Sequence, residues 1–314
     1  MRFISREEIS RRLTYEKCIP IVRQAMIGFS NGETRQLLRS ILTLSDGRLF
    51  GVMPGAMGAH AAFGAKLISV FHGNFARGVQ SHQGIVVLFD PDSGAPVCVL
   101  DAGEITAIRT AAASAVATDA LARKDSRRLA LLGYGEQAQT HARAISKIRN
   151  LESITVWGRS PELAQAFARN MQAELSTPVA AAVDAQTAVS EADIICTVTS
   201  APEPILQGVW VRPGTHLNLV GSSYAGPSEV DSDLVVRSRF IADSREGVLN
   251  QGAEFLRAKK AGLIGDDHIV AEIGQVLAGD IAGRRSADEI TAYKSLGHIV
   301  QDLASAWALY SQPE

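Results

Sequence analysis

The sequence predicts an α/β protein: a doubly wound parallel sheet joined to a discontinuous α+β domain. Three observations carry that expectation. Strand-like and helix-like segments alternate from residue 127 onward, the pattern of a parallel sheet with helices on both faces. A glycine-bearing turn joins the first of those strands to its helix. The segments before residue 104 read instead as one helical stretch and a succession of β runs. At 314 residues the chain has room for about two domains of ordinary size.

The elements follow in chain order. Residues 9–29 carry Ile9, Leu13, Ile19, Val22 and Met26 at helical spacing. Strand-like runs come next at 37–44, 66–71 and 84–89. Asp46-Gly47 and Asp92-Ser93-Gly94 read as hairpin connections. Such consecutive β runs predict an antiparallel or mixed sheet. Residues 104–123 are Ala-rich and predict a stiff helix leading into the next domain. Beyond it, strands are expected at 129–132, 154–157, 179–183, 194–197, 217–220 and 240–242, with helices at 137–148 and 161–174. Residues 295–310 carry Leu296, Ile299, Leu303 and Trp307 at helical spacing, and this helix is expected to return to the first domain. The expected division is 1–124 with 293–314, and 125–292.

Composition narrows the function. Apolar residues at 46% and charged residues at 20% supply ample material for two cores. A net charge of −2 gives no electrostatic reason to expect a nucleic-acid or acidic-membrane partner. Arg11-Arg12, Lys259-Lys260 and Arg284-Arg285 are isolated pairs that read as solvated surface. The first eight residues lack the apolar core of a signal peptide. No stretch approaches the roughly 18 apolar residues of a membrane helix. Cys18, Cys98 and Cys196 are odd in number and widely spaced, which speaks against a disulfide framework and fits a reducing cytoplasm. The seven histidines form no HxxxH or HExxH pair and no CxxC exists, so a metal site has no support.

Gly133-Tyr134-Gly135-Glu136-Gln137-Ala138 has the form GxGxxA, directly after the strand at 129–132 and opening a helix. Glycines permit the tight turn and let the backbone approach a pyrophosphate, while the helix N-terminus offers unpaired N–H groups. This context predicts a Rossmann-type unit that binds a dinucleotide through Gly133, Tyr134, Gly135, Glu136 and Gln137. The second strand ends Val156-Trp157-Gly158-Arg159-Ser160, without the carboxylate that accepts from a ribose 2′-OH. Arg159 is placed to pair with a 2′-phosphate and Ser160 to donate to it. A charge-assisted bond contributes roughly 1.5–3 kcal/mol, about ten- to a hundredfold in affinity. The expectation is NADP(H) over NAD(H), with NAD(H) possible.

Several separated motifs then fall in one order: Gln36-Leu37-Leu38-Arg39, Gly51-Val52-Met53-Pro54, Ala65-Lys66-Leu67 and Ser81-His82-Gln83. They continue with residues 105–112 (Ile-Thr-Ala-Ile-Arg-Thr-Ala-Ala), the glycine turn, and Glu203-Pro204-Ile205-Leu206. Leu219-Val220-Gly221-Ser222-Ser223 and Lys294-Ser295-Leu296-Gly297 complete the series. Together they resemble the ornithine cyclodeaminase and mu-crystallin family across nearly the whole chain. The resemblance implies a substrate-binding and dimerisation domain beside the Rossmann domain, and a homodimer acting on a small α-imino or α-amino acid. It places the family's substrate-binding lysine at Lys66 and substrate-carboxylate arginines at Arg39 and Arg109, with Arg35 as a substitute for Arg39. Arg109 is also implied to reach the cofactor. Lys66 and Arg109 are the implied catalytic pair. Ser81, His82, Gln83, Thr197, Val220 and Ser295 are implied to lie near the cofactor. Physically, a lysine inside a strand-like run must be paired or deprotonated if buried, and a planar guanidinium suits bidentate carboxylate binding.

One departure bears on the chemistry. Family members that deaminate carry an Asp in the loop after the fifth strand. Here that loop reads Gly221-Ser222-Ser223-Tyr224-Ala225-Gly226-Pro227-Ser228-Glu229, with Ser223 at the Asp position. A serine near neutral pH is no match for a carboxylate as general base. The ketimine reductases of the family similarly have a serine there. The leading expectation is therefore reduction of an α-imino acid such as Δ1-pyrroline-2-carboxylate. Ornithine cyclodeamination with recycled NAD, and non-catalytic storage of NADPH or another ligand, are the alternatives.

Overall fold

A computed structural model of the chain describes residues 1–45, 47–58 and 62–312. They form two compact units, Met1–Ala113 with Gly297–Glu314 and Ser114–Leu296.

The first unit is built on a mixed sheet. Its elements are β1 (Arg2–Ile4), α1 (Arg6–Arg12), α2 (Tyr15–Ser30), β2 (Thr34–Gln36), β3 (Ser40–Ser45), β4 (Arg48–Met57), β5 (Phe63–Phe71), β6 (His82–Phe89), β7 (Pro96–Asp101), the start of α3 (Ala102–Leu121), and the closing helix α11 (Ile299–Ser311). The strands run in the order β1-β7-β6-β5-β4-β2, with β3 beside β4. Only β1 and β7 pair in parallel. The sheet is thus mixed, as consecutive β runs suggest.

Two sequence expectations need correction here. The helix expected over 9–29 is two helices: Leu13 closes α1, and Thr14, in an extended conformation, opens α2. The run expected at 37–44 is broken, because Leu37, Leu38 and Arg39 fall between β2 and β3. Strands β1, β2, β4 and β7 lie outside the expected runs; in β4, Gly51, Pro54 and Gly55 dilute the apolar pattern. Strands β3 and β4 do pair antiparallel, with Ser45 opposite Arg48, although Asp46 of the expected turn lies outside the described residues.

The second unit carries an eight-stranded, wholly parallel sheet. Its strands are β8 (Arg128–Leu132), β9 (Ser153–Trp157), β10 (Val179–Ala181), β11 (Ile194–Thr197), β12 (His216–Leu219), β13 (Ser238–Ala242), β14 (Ile269–Glu272) and β15 (Ile290–Lys294). The helices are α4 (Glu136–Ser146), α5 (Pro161–Glu174), α6 (Ala185–Val189), α7 (Ser232–Arg237), α8 (Arg245–Gln251), α9 (Ala253–Lys260) and α10 (Ile273–Ala278). Strand order is β10-β9-β8-β11-β12-β15-β13-β14. The chain winds outward from β8 to β10, then returns to start again at β11. That reversal opens a crevice at the carboxyl ends of β8 and β11, where such sheets bind ligands.

Side-chain oxygens cap four of these helices: Ser160, Asp184, Asp231 and Ser244 each accept from a backbone N–H in the first turn, worth about 1 kcal/mol apiece. Two apolar clusters cover the sheet. Leu132, Leu217, Phe240 and Phe255 belong to one, and Leu131, Ile145, Val156 and Phe167 to the other.

The last helix begins at Ile299, not at Ser295. Gly297, three residues beyond the end of β15, adopts φ +83 in a left-handed turn, and His298 then caps the helix. The contact-based division falls at 113/114 and 296/297, where the sequence reading put 124/125 and 292/293; the first difference lies inside the continuous helix α3.

Candidate active site

In the first unit the sheet period decides which side chains go inward. Gly64, Lys66 and Ile68 alternate along β5 as buried positions, so they share one face. Lys66 sits in an interior strand, opposite Met53 on β4 and Val86 on β6, and is 2% exposed. It is no edge lysine reaching solvent.

Its ammonium is met by the closing helix. Lys66 Nζ donates to Asp302 Oδ2 at 2.9 Å and Oδ1 at 3.0 Å, and lies 3.5 Å from Thr106 Oγ1. Arg109, one helical turn beyond Thr106 on α3, donates from Nε to Asp302 Oδ1 at 3.0 Å and from Nη1 to Gln301 Oε1 at 2.9 Å. Arg39 donates from Nη2 to the Gly297 carbonyl at 2.6 Å. The structure therefore brings together the three cations expected from the sequence, Arg39, Lys66 and Arg109. Arg35 lies on β2 and is exposed.

The electrostatics follow from burial. Desolvation draws Lys66 down from 10.5 to about 7, Arg109 adds to the drop, and Asp302 opposes it. Burial pushes the Asp302 carboxyl up, but Arg109 and Lys66 overcome this and hold it below its ordinary value. His298 is pushed down to about 3, chiefly by burial and then by Arg39, so its imidazole is neutral. Its ring lies 4.2 Å from that of Phe29. Two buried cations, Lys66 and Arg109, share the one Asp302 carboxylate, an arrangement that an anionic ligand would balance.

Ser81 and His82 stand at the start of β6, where Val70 rather than Lys66 is the register partner of His82. The Ser81 hydroxyl and His82 Nδ1 are 2.9 Å apart. Gln83 is exposed and donates to the Gln80 carbonyl at 3.3 Å.

In the second unit Gly133 follows β8 with φ +123 and donates its N–H to the Trp157 carbonyl at 2.8 Å. A side chain there would meet the Val198 carbonyl. Tyr134 follows, and Gly135 opens α4 without a side-chain cap. Glu136 and Gln137 form its first turn. Gln137 Oε1 and Ser295 Oγ are buried without hydrogen-bond partners among the described residues. Thr197 ends β11 wholly buried and Val220 follows β12 at 7% exposure. Uncapped helix N–H groups and buried polar atoms lacking partners fit a dinucleotide at this edge. Arg159 is exposed and makes no ion pair among the described residues. The Ser160 hydroxyl serves α5 instead, accepting from Leu163 N at 3.2 Å and donating to Glu162 Oε2 at 2.8 Å.

Sequence reasoning missed Asp302, Gln301 and His298. A signal existed for the first: Asp302 is the lone charged residue in the mostly apolar α11. No group of metal-ligating side chains occurs among the described residues, and no helix there is long and apolar enough to cross a membrane.

These two constellations define a class: α/β proteins in which one unit suits a dinucleotide and the other buries a cationic cluster suited to a small carboxylate. The chain belongs to the ornithine cyclodeaminase/mu-crystallin family, whose profile matches residues 2–314. It is 37% identical over 313 residues to the ketimine reductase mu-crystallin of Mus musculus, covering 98% of this chain and 96% of that protein. It is 33% identical over 314 residues to a Delta(1)-pyrroline-2-carboxylate reductase of Bacillus cereus, covering 99% and 96%. Among solved structures, the Thermococcus litoralis Delta(1)-pyrroline-2-carboxylate reductase in complex with NADH and L-proline superposes with a TM-score of 0.96 at 34% identity, covering 99% and 96%.

Proposed function

We propose that the protein is a nicotinamide-dependent reductase of a small α-imino acid, Δ1-pyrroline-2-carboxylate or a close analogue, yielding the amino acid. The observation that carries this reading is the buried meeting of Lys66, Arg109 and Asp302, with Arg39 close by. Arg39 and Arg109 hold the substrate carboxylate through their planar forks. Lys66, drawn to about 7, holds and releases a proton readily near neutral pH. It is the donor to the imine nitrogen. Asp302 favours the charged form of Lys66 and holds both Lys66 and Arg109 in place through its two oxygens.

Reduction adds one hydride and one proton across the C=N bond, and the nicotinamide supplies the hydride when bound. The chain's part is to bind, orient and protonate. Ser223 provides no carboxylate to activate water, which favours reduction over deamination. The reductase names of the relatives support the same reading.

The finer assignments belong to this proposal. Gly133, Tyr134, Gly135, Glu136 and Gln137 hold the pyrophosphate, and Arg159 favours NADP(H). Ser81, His82, Gln83, Thr197, Val220 and Ser295 lie toward the cofactor, as does Arg109. The chain works as a homodimer, for which the exposed Ile41, Leu42 and Leu44 of β3, at 39%, 60% and 50%, supply an apolar surface. The three free, buried cysteines suit a reducing cytoplasm.

The test is oxidation of NADPH and of NADH, followed at their near-ultraviolet absorbance with Δ1-pyrroline-2-carboxylate. Turnover is expected, faster with NADPH. Lys66→Ala is expected to abolish it while leaving NADPH binding nearly intact. Ammonia released from ornithine, with no oxidation, would overturn the reductase reading.

A further inference from the structure

The carboxyl edge of the parallel sheet holds a second buried charge cluster, which the reductase reading does not use. Glu229, Glu254 and Lys294 are 0%, 1% and 0% exposed. The Glu229 carboxylate folds back over its own loop. Its Oε1 accepts from the Thr199 backbone N–H at 2.6 Å and the Thr199 hydroxyl at 2.7 Å. Its Oε2 accepts from the Gly221 N–H at 2.8 Å.

Thr199 lies just beyond β11 and Gly221 just beyond β12, and those strands are parallel neighbours. One carboxylate thus ties the loops that leave two adjacent strands. The approach is so close that a Cβ on Gly221 would lie 2.5 Å from Glu229 Oε1. Behind it, Lys294 Nζ pairs with Glu254 Oε2 at 2.7 Å and donates to the Ser222 carbonyl at 2.6 Å. The base of loop 221–229 is gripped by buried charge, while Ala225 and Gly226 at its tip are exposed.

Stability alone does not call for such an arrangement, because apolar packing often does as well as a buried ion cluster. Burial pushes the Glu229 carboxyl above its ordinary value. Each carboxyl oxygen nevertheless meets a backbone N–H that can only donate, so the ionised form is the one that fits. The charge is spent at the edge of the sheet where ligands bind.

We propose that Glu229 is a positioning residue: its clasp between Thr199 and Gly221 sets the spacing of the two loops and, through it, the affinity for the nicotinamide cofactor. The proposal rests on the reductase reading for the identity of that ligand. Asp193 supplies an internal comparison. It makes a similar clasp at the amino end of β11, accepting from the Arg127 and Arg128 N–H groups at 2.9 and 3.0 Å, away from the cofactor edge.

The test compares Glu229→Gln, Thr199→Val and Asp193→Asn in the full chain. Dissociation constants for NADPH and NADH are read by nicotinamide fluorescence without substrate, alongside the thermal midpoint. Glu229→Gln turns an amide N–H₂ toward a backbone N–H and should weaken binding roughly tenfold or more. Thr199→Val, which loses one donor to Glu229 and the acceptor for the Ala201 N–H, should weaken it about threefold. Asp193→Asn should lower the midpoint yet leave binding within about twofold. A Glu229→Gln protein that melts lower but binds like the wild type overturns the positioning role. If Glu229→Gln does not fold, an unchanged constant for Thr199→Val overturns it. A wild-type protein that binds neither cofactor sinks the reductase reading itself, and this role with it.

Discussion

The Lys66 ammonium and the Asp302 carboxylate lie 2.9 Å apart, with side-chain exposures of 3% and 0%. The other Asp302 oxygen takes Arg109 Nε at 3.0 Å, so one carboxylate from α11 offsets two cations from β5 and α3. Removing Asp302 leaves two buried basic groups without their counter-ion. Asp302→Asn is expected to cost about 3–5 kcal/mol of folding stability, read as a lowered urea midpoint. It should also lower kcat, because Lys66 loses the group that favours its charged form.

Lys66 gives the reaction a pH signature. With Lys66 as the proposed donor, its ammonium is the working form, so kcat/KM should fall as pH rises through about 7. A bound substrate carboxylate favours the ammonium, which moves the fall in kcat to higher pH than that in kcat/KM. Stability runs the other way. The folded lysine releases its proton near 7 and the unfolded one near 10.5, so the unfolded chain holds more protons in between. The Lys66 contribution to stability therefore rises with pH across that window. Asp302, held below its ordinary value, contributes stability above its unfolded pKa, and this is lost as pH falls through its folded one. A pH–rate profile with no alkaline limb would remove Lys66 as the donor.

Arg159 should govern cofactor choice. It is exposed and outside any ion pair among the described residues, so Arg159→Ala is expected to leave the thermal midpoint almost unchanged. The ratio of kcat/KM for NADPH to that for NADH should fall about ten- to a hundredfold. Ser160 will contribute less than its position suggests, because its hydroxyl already donates to Glu162.

Gly297→Ala tests the turn that lies against Arg39 and Arg109, the proposed carboxylate-binding arginines. The residue adopts φ +83, and an added Cβ would lie 2.7 Å from Arg109 Nη1. Backbone strain of about 1–2 kcal/mol is expected. The displaced guanidinium should raise KM for the imino acid more than it raises KM for the cofactor. Steady-state titration of each substrate separates the two.

The parallel sheet was legible because its period is strong: β11 and α5 fall where apolar runs and a proline start place them. Strand β15 was not, since it enters the sheet between β12 and β13 from a distant part of the sequence. The buried charge cluster of the first unit divides the same way. Lys66 stands out as a charge inside an apolar run, and Arg109 as a cation on an alanine helix. Asp302 could have been found by the same logic. Its pairing with both depends on the closing helix reaching them from 236 and 193 residues away, and helical spacing carries no information about partners at that separation.

That separation has a consequence for synthesis. Domains fold as units while the chain emerges from the ribosome, earlier parts first. Lys66 and Arg109 are made long before Asp302, which follows Arg109 by 193 residues. Until then, closing the sheet over them would bury two like charges without a counter-ion. The first-made unit is therefore the last to mature, waiting open while the segment inserted between its halves is translated.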